Sequence, residues 1–290
     1  MRQILWPGVL GSLDYAVQVQ IAQAAGFDGL TISPLTVRQL ADRGLDAAAI
    51  RGIAADRGVA LTHLDGMTSW APVWLPPQDS PMYARYHARF SFSASECLDM
   101  CGALGLGRLV AVPMFGHGTL PMDEVIAAFA AFCARAADQG VVVELEFMPY
   151  AGLRTLAEAL AVLEGAGAAN SGLVLDTWHL CRATQDLEAD LALLARHPGR
   201  CTALQLADAR DAARPADPFA DLTANGRELP GEGALPVARI TAAALRNNPA
   251  LDSIGPEPSS AHYLDLPPAD LGRRAGETTR AALAAGRALT

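Results

Sequence analysis

The sequence predicts an α/β protein built as a closed (β/α)8 barrel, and three observations carry that prediction. Eight short, apolar, β-prone runs recur along the chain. Each is followed by an Ala/Leu-rich segment with helical periodicity, and glycine repeatedly separates the end of a helical segment from the next run. Runs that are apolar throughout, rather than alternating, suit strands covered on both faces, as in parallel sheets. Eight strand–helix repeats favour closure into a TIM barrel over an open doubly wound sheet. At 290 residues the chain has the size at which such a barrel forms one domain, residues 1–290.

The strand runs lie near 3–7, 29–33, 60–64, 108–113, 141–147, 172–176, 203–207 and 251–255. The second follows Ala24-Ala25-Gly26, the third Asp56-Arg57-Gly58, the fourth Leu104-Gly105-Leu106-Gly107 and the fifth Asp138-Gln139-Gly140. Glycine there is the usual helix stop. Before the fifth run Val125, Phe129 and Phe132 share one helical face, and after it Leu153, Leu156, Leu160 and Leu163 share another.

The formal charge of −9 and pI near 5.1 oppose phosphate backbones and anionic lipid, so neither nucleic acid nor membrane is an expected partner. The five cysteines, Cys97, Cys101, Cys133, Cys181 and Cys201, are odd in number and lack paired CxxC spacing, which fits reduced thiols in a cytoplasmic protein. The apolar start, Ile4-Leu5-Trp6-Pro7, is too short for a signal-peptide core. The longest apolar stretch, around 125–134, is about half of what a membrane span needs. The expected partner is a small-molecule substrate, with a homo-oligomer left open.

Barrel active sites form at the C-terminal ends of the strands. Four consecutive runs end there on oxygen donors: Glu146, Asp176, Gln205 and Glu257. Three carboxylates and an amide oxygen make a hard shell, suited to Mg²⁺ or Mn²⁺ more than to Zn²⁺ or Co²⁺. His179 stands three residues after Asp176 and can share its pocket. His63, read as the end of the third run, and His117, after the fourth, are further candidates, while Glu144 shares a strand face with Glu146. Two long loops follow strands. The first, 65–77, carries Trp70 and Trp74 as an expected apolar wall or lid. The second runs from Asp208 to about Leu235 and offers Arg210 and Arg227 for a carboxylate or enediolate oxygen, Arg210 being the favoured one. No G-x-G-x-x-G follows the first strand, so a nicotinamide cofactor has no cradle.

Taken together, Leu-Glu146-Phe-Met-Pro149, Asp176-x-x-His179, Gln205-Leu-Ala-Asp208, Leu-Pro-Gly231-x-Gly233 and Pro-Glu257 resemble the xylose isomerase-like barrels, the sugar phosphate isomerase and epimerase group. The resemblance spans most of the chain. It implies one divalent cation held by Glu146, Asp176, Gln205 and Glu257, with His179 and Arg210 reaching the substrate. It also implies that Glu146 and Glu257 serve as an acid/base pair. Many members carry His where this chain has Gln205, which bears on metal choice.

Such a site supports proton abstraction α to a carbonyl, giving an isomerase, an epimerase or, if a β-hydroxyl leaves, a dehydratase of the inosose or 3-dehydroshikimate type. A non-catalytic small-molecule binder is a further alternative. The fold's endonuclease IV relatives are disfavoured, because those sites are histidine-rich and this chain is acidic.

Overall fold

The computed structural model describes residues 1–75, 78–79, 83–211, 226–246 and 248–290. Part of the loop read at 65–77, and residues 212–225 of the second long loop, lie outside the described residues.

Eight strands close into a barrel in chain order: β1 (Arg2–Leu5), β2 (Gly29–Ile32), β3 (Ala60–Met67), β4 (Arg108–Ala111), β5 (Val142–Glu146), β6 (Ser171–Asp176), β7 (Cys201–Leu206) and β8 (Ser253–Pro256). The paired strands run parallel, with Leu5 beside Leu30, Arg108 beside Val142, Glu144 beside Gly172 and Gln205 beside Gly255. The strand runs are buried as their uniform apolarity predicts; β7 is buried at every residue. The intervening helices are α1 (Tyr15–Ala25), α2 (Pro34–Asp42), α3 (Ala47–Ala55), α4 (Tyr83–Phe90), α5 (Ala94–Leu104), α6 (Met122–Ala137), α7 (Leu156–Ala166), α8 (Thr177–Ala183), α9 (Leu187–Ala195), α10 (Val237–Leu245) and α11 (Pro268–Ala288). No described helix is long and apolar enough to cross a membrane.

The chain divides into two compact units: Met1–Thr31, Gly52–Ala60 and Leu175–Thr290 form one, and Ile32–Arg51 with Leu61–Val174 the other. In the first, α11 packs on α1 through Gly272 and Gly276. A Cβ at either position would stand 2.5 Å or less from the carbonyl of Ile21 or Ala25. Glycine within a helix costs about 1 kcal/mol against alanine, and here it permits the close approach. In the second unit, the stripes predicted from periodicity are buried: Val125, Phe129 and Phe132 on α6, and Leu156, Leu160 and Leu163 on α7, with Leu153 just before it. Capping boxes start α5 (Ser93 with Glu96) and α7 (Thr155 with Glu158).

Two expectations change here. β3 runs on to Met67 instead of stopping at Leu64, with a register shift against β4 between Leu64 and Met67. His63 therefore lies inside the strand and not at its end. Trp70, expected in a wall or lid, is only 5% exposed. Its indole makes edge contacts with Phe115 and Phe129, and its N–H donates to the Val112 carbonyl at 3.0 Å. An indole so packed belongs to the core of its unit.

Candidate active site

β6 ends on Asp176, which is also the N-cap of α8. Its Oδ1 accepts the backbone N–H groups of Trp178 (2.6 Å) and His179 (3.0 Å), the usual way a cap side chain satisfies open helix donors. Its Oδ2 accepts from Nη1 of Arg227 at 3.1 Å, and the same nitrogen donates to Oε2 of Glu257, just past β8. Nη2 of Arg227 lies 3.0 Å from Nε2 of His179. A guanidinium has only donors, so Nε2 accepts and the imidazole proton resides on Nδ1. Burial raises the Asp176 carboxyl, but the Arg227 guanidinium and the His179 backbone N–H are among the groups that outweigh it and hold the carboxyl below the usual range.

Gln205, the penultimate residue of β7, differs from these residues. It is fully buried, and neither amide atom has a hydrogen-bond partner among the described residues. Buried polar groups are nearly always partnered, so such an amide requires an explanation.

Arg227 is held from behind. Its backbone bridges Ser259 while Glu228 bridges Asp208. Asp208 gathers the end of the loop through its side chain, accepting from the N–H groups of Ala209, Gly231 and Leu235. A Cβ on Gly233 would collide with Asp208 Oδ1 at 2.4 Å, so that turn requires glycine. Glu228 accepts from the Tyr263 hydroxyl and from Nε of Arg210, each at 2.9 Å. The guanidinium of Arg227 lies 4.8 Å from the Trp178 ring centroid and that of Arg182 5.3 Å from it, with Arg182 also bonded to the Asp211 carbonyl.

Of the two loop arginines the sequence offers, the structure brings Arg227 to the carboxylates. Arg210, the one favoured from spacing, pairs with Glu228 and leaves 74% of its side chain exposed. The roles of Arg182, Asp208, Glu228 and Tyr263 carried no distinct sequence signal; each depends on how a loop folds back.

In the other unit, β5 ends on the buried Glu146, registered beside Val174, two residues before the end of β6. Two residues earlier, Glu144 has a polar neighbour at each oxygen: Arg108 Nη1 donates to Oε1 at 2.6 Å and His63 Nε2 lies 3.0 Å from Oε2. His63 Nδ1 is 2.9 Å from the Thr62 hydroxyl. Fully buried in this cluster, His63 is not presented to a substrate at the strand end as expected. His117 pairs with Glu158 of α7 at 2.9 Å.

Glu146, Asp176 and His179 each offer one atom of a kind that ligates a metal, although the His179 Nε2 lone pair is committed to Arg227. The donors Asp176, Gln205 and Glu257 fit a hard cation: two carboxylates and an amide that lacks a partner among the described residues.

The family model for the xylose isomerase-like TIM barrel matches residues 19–270. Among solved structures, the chain is similar to the IolI protein with a bound zinc atom, with 18% identity, TM-score 0.77 and 98% of each chain covered. It is similar to L-ribulose 3-epimerase, with 18% identity, TM-score 0.70, and 99% of this chain and 96% of that one covered. It is also similar to the probable 3-DHS dehydratase AsbF of Bacillus anthracis, with 13% identity, TM-score 0.68, and 96% of this chain and 98% of that one covered. At these identities the likenesses show the fold. No curated protein matches the sequence.

Proposed function

The chain belongs to the xylose isomerase-like TIM barrel family, and from that premise we propose that it is a divalent-metal-dependent isomerase or epimerase of a small hydroxylated carbonyl compound, a sugar or keto acid. The observation that carries the reading is Gln205, whose buried amide has no partner among the described residues. Burying such a group unsatisfied costs about 1–3 kcal/mol, and a ligand at its oxygen removes the acceptor's share of that cost. Glu146, Asp176, Gln205 and Glu257 would hold the ion, and their oxygen shell suits Mn²⁺ or Mg²⁺ better than Zn²⁺ or Co²⁺. When bound, the ion polarises the substrate carbonyl and steadies negative charge on its oxygen.

The chain's own residues do the remaining work. One of Glu146 and Glu257 takes the proton from the carbon α to the carbonyl and the other returns one, on the neighbouring carbon for an isomerase or on the opposite face for an epimerase. His179, fixed in one tautomer by Arg227, and Arg227 itself orient the substrate oxygens. Neither Trp70 nor Trp178 presents an open ring face as a wall, since both indoles are buried. The reduced cysteines fit a cytoplasmic setting.

The test is turnover of keto sugars and cyclic polyols in D₂O with Mn²⁺ present. Solvent deuterium at the α carbon is expected, and Glu257→Gln should abolish its incorporation. Transfer of the substrate's own hydrogen without exchange would overturn the acid/base pair. A dehydratase is the second reading, favoured by the buried Arg182 and Arg227 around Trp178, which suit a substrate carboxylate. Loss of water from a carboxylated polyol would identify it, and binding without turnover would identify a non-catalytic binder.

A further inference from the structure

Arg227 stands where a cation is needed. Asp176 and Glu257 are two carboxylates drawn to one guanidinium nitrogen, and paired acids this close remain ionised together only with a positive charge between them. The oxygens also leave little choice. Asp176 Oδ1 is already taken by two backbone N–H groups, so Oδ2 is the oxygen open to an ion, and Oδ2 is the atom Arg227 holds.

We propose that Arg227 is a built-in counter-cation that competes with the divalent ion, so that metal loading requires its guanidinium to leave Asp176 Oδ2 and Glu257 Oε2. This inference rests on the metal-dependent reading above. Arginine cannot yield by losing a proton, so the side chain has to move. Its backbone is pinned by the bridge to Ser259, which leaves the side chain as the moving part. An ion that binds only the population with Arg227 withdrawn has its affinity lowered by that fraction.

The experiment measures Mn²⁺ affinity calorimetrically on the metal-stripped full-length protein, and melting temperature with and without Mn²⁺. Arg227→Gln should bind Mn²⁺ about tenfold tighter or more, melt lower when metal-free, and gain more from Mn²⁺ than the parent does. Arg227→Lys keeps the charge without the planar fork and should fall between the two, which serves if the glutamine variant folds poorly. Arg182→Gln removes the other guanidinium near the same indole and should leave the affinity at the parent value. Unchanged or weaker Mn²⁺ binding in both Arg227 variants overturns the proposal, as does equal tightening in Arg182→Gln, which would show that loss of charge alone suffices. If the parent and all variants bind neither Mn²⁺ nor Mg²⁺, the metal-dependent reading falls with it.

Discussion

Two buried charge clusters, each described within its own unit, are built from the same side chains and are satisfied differently. Around Glu144 one carboxylate oxygen accepts from Arg108 and the other lies 3.0 Å from Nε2 of His63. Around Arg227 one nitrogen serves Asp176 and Glu257 together, and Gln205 of the same unit has no partner among the described residues. Matched donors and acceptors make a closed structural element. A buried amide without a partner among the described residues makes a place for a ligand, because an ion or a polar group can satisfy what is left. The contrast separates a buried polar group that holds the fold from one that the proposed function assigns to a ligand.

The sharpest attempt to break this contrast is Glu144→Ala. Removing one partner of a buried ionic cluster leaves the other uncompensated, here Arg108, and typically costs 3–5 kcal/mol. Chemical denaturation should show a loss of about that size, with Mn²⁺ stabilisation of the folded fraction unchanged. If the variant is nearly as stable as the parent but no longer responds to Mn²⁺, the Glu144 cluster serves the metal and the contrast fails.

Gln205→Leu probes the opposite cluster and should have the opposite sign. Replacing an unsatisfied amide by an apolar side chain of similar volume should stabilise the metal-free protein by about 1–3 kcal/mol, while removing its response to Mn²⁺. Stability gained where function is lost is the expected signature of a site residue. Destabilisation of the metal-free protein would mean that the amide has a structural partner after all.

The same contrast explains what could be read from the sequence. Strand order, helix stripes and the four oxygen donors at strand ends were legible because period and punctuation are local properties: Phe129 or Leu160 declares its face through neighbours three and four residues away. The donor state of those residues was not legible. Whether Gln205 is partnered, or Arg227 rather than Arg210 turns inward, depends on pairs such as Arg227 with Ser259 and Asp208 with Glu228 that the loop forms only on folding back. His63 and Trp70 misled for a related reason. A short apolar run does not announce that β3 continues past Leu64 to Met67, and a tryptophan in a proline-rich loop resembles a lid until Phe115 and Phe129 are seen to enclose it.

The smallest expected effect belongs to a carboxylate outside both clusters, and it calibrates them. Glu158 closes the capping box of α7, accepting from the backbone N–H groups of Arg154 and Thr155 while lying 2.9 Å from His117. Burial works against its charge, but the His117 hydrogen bond and the two backbone N–H groups prevail and hold it below the usual glutamate value. A carboxyl lowered in the folded state adds stability that is present above its unfolded value, about 4.3, and is lost as the pH falls through the lower folded value. Thr155→Ala removes the other half of the box and should cost about 1 kcal/mol at neutral pH. Because Glu158 caps the same helix end, the cost of Thr155→Ala should change as Glu158 protonates below about pH 4.3. Denaturation curves of parent and variant at neutral and acid pH check this. A cost that is the same at both would show that the two halves of the box act independently, and that the pH sensitivity of this helix end lies in the pair with His117.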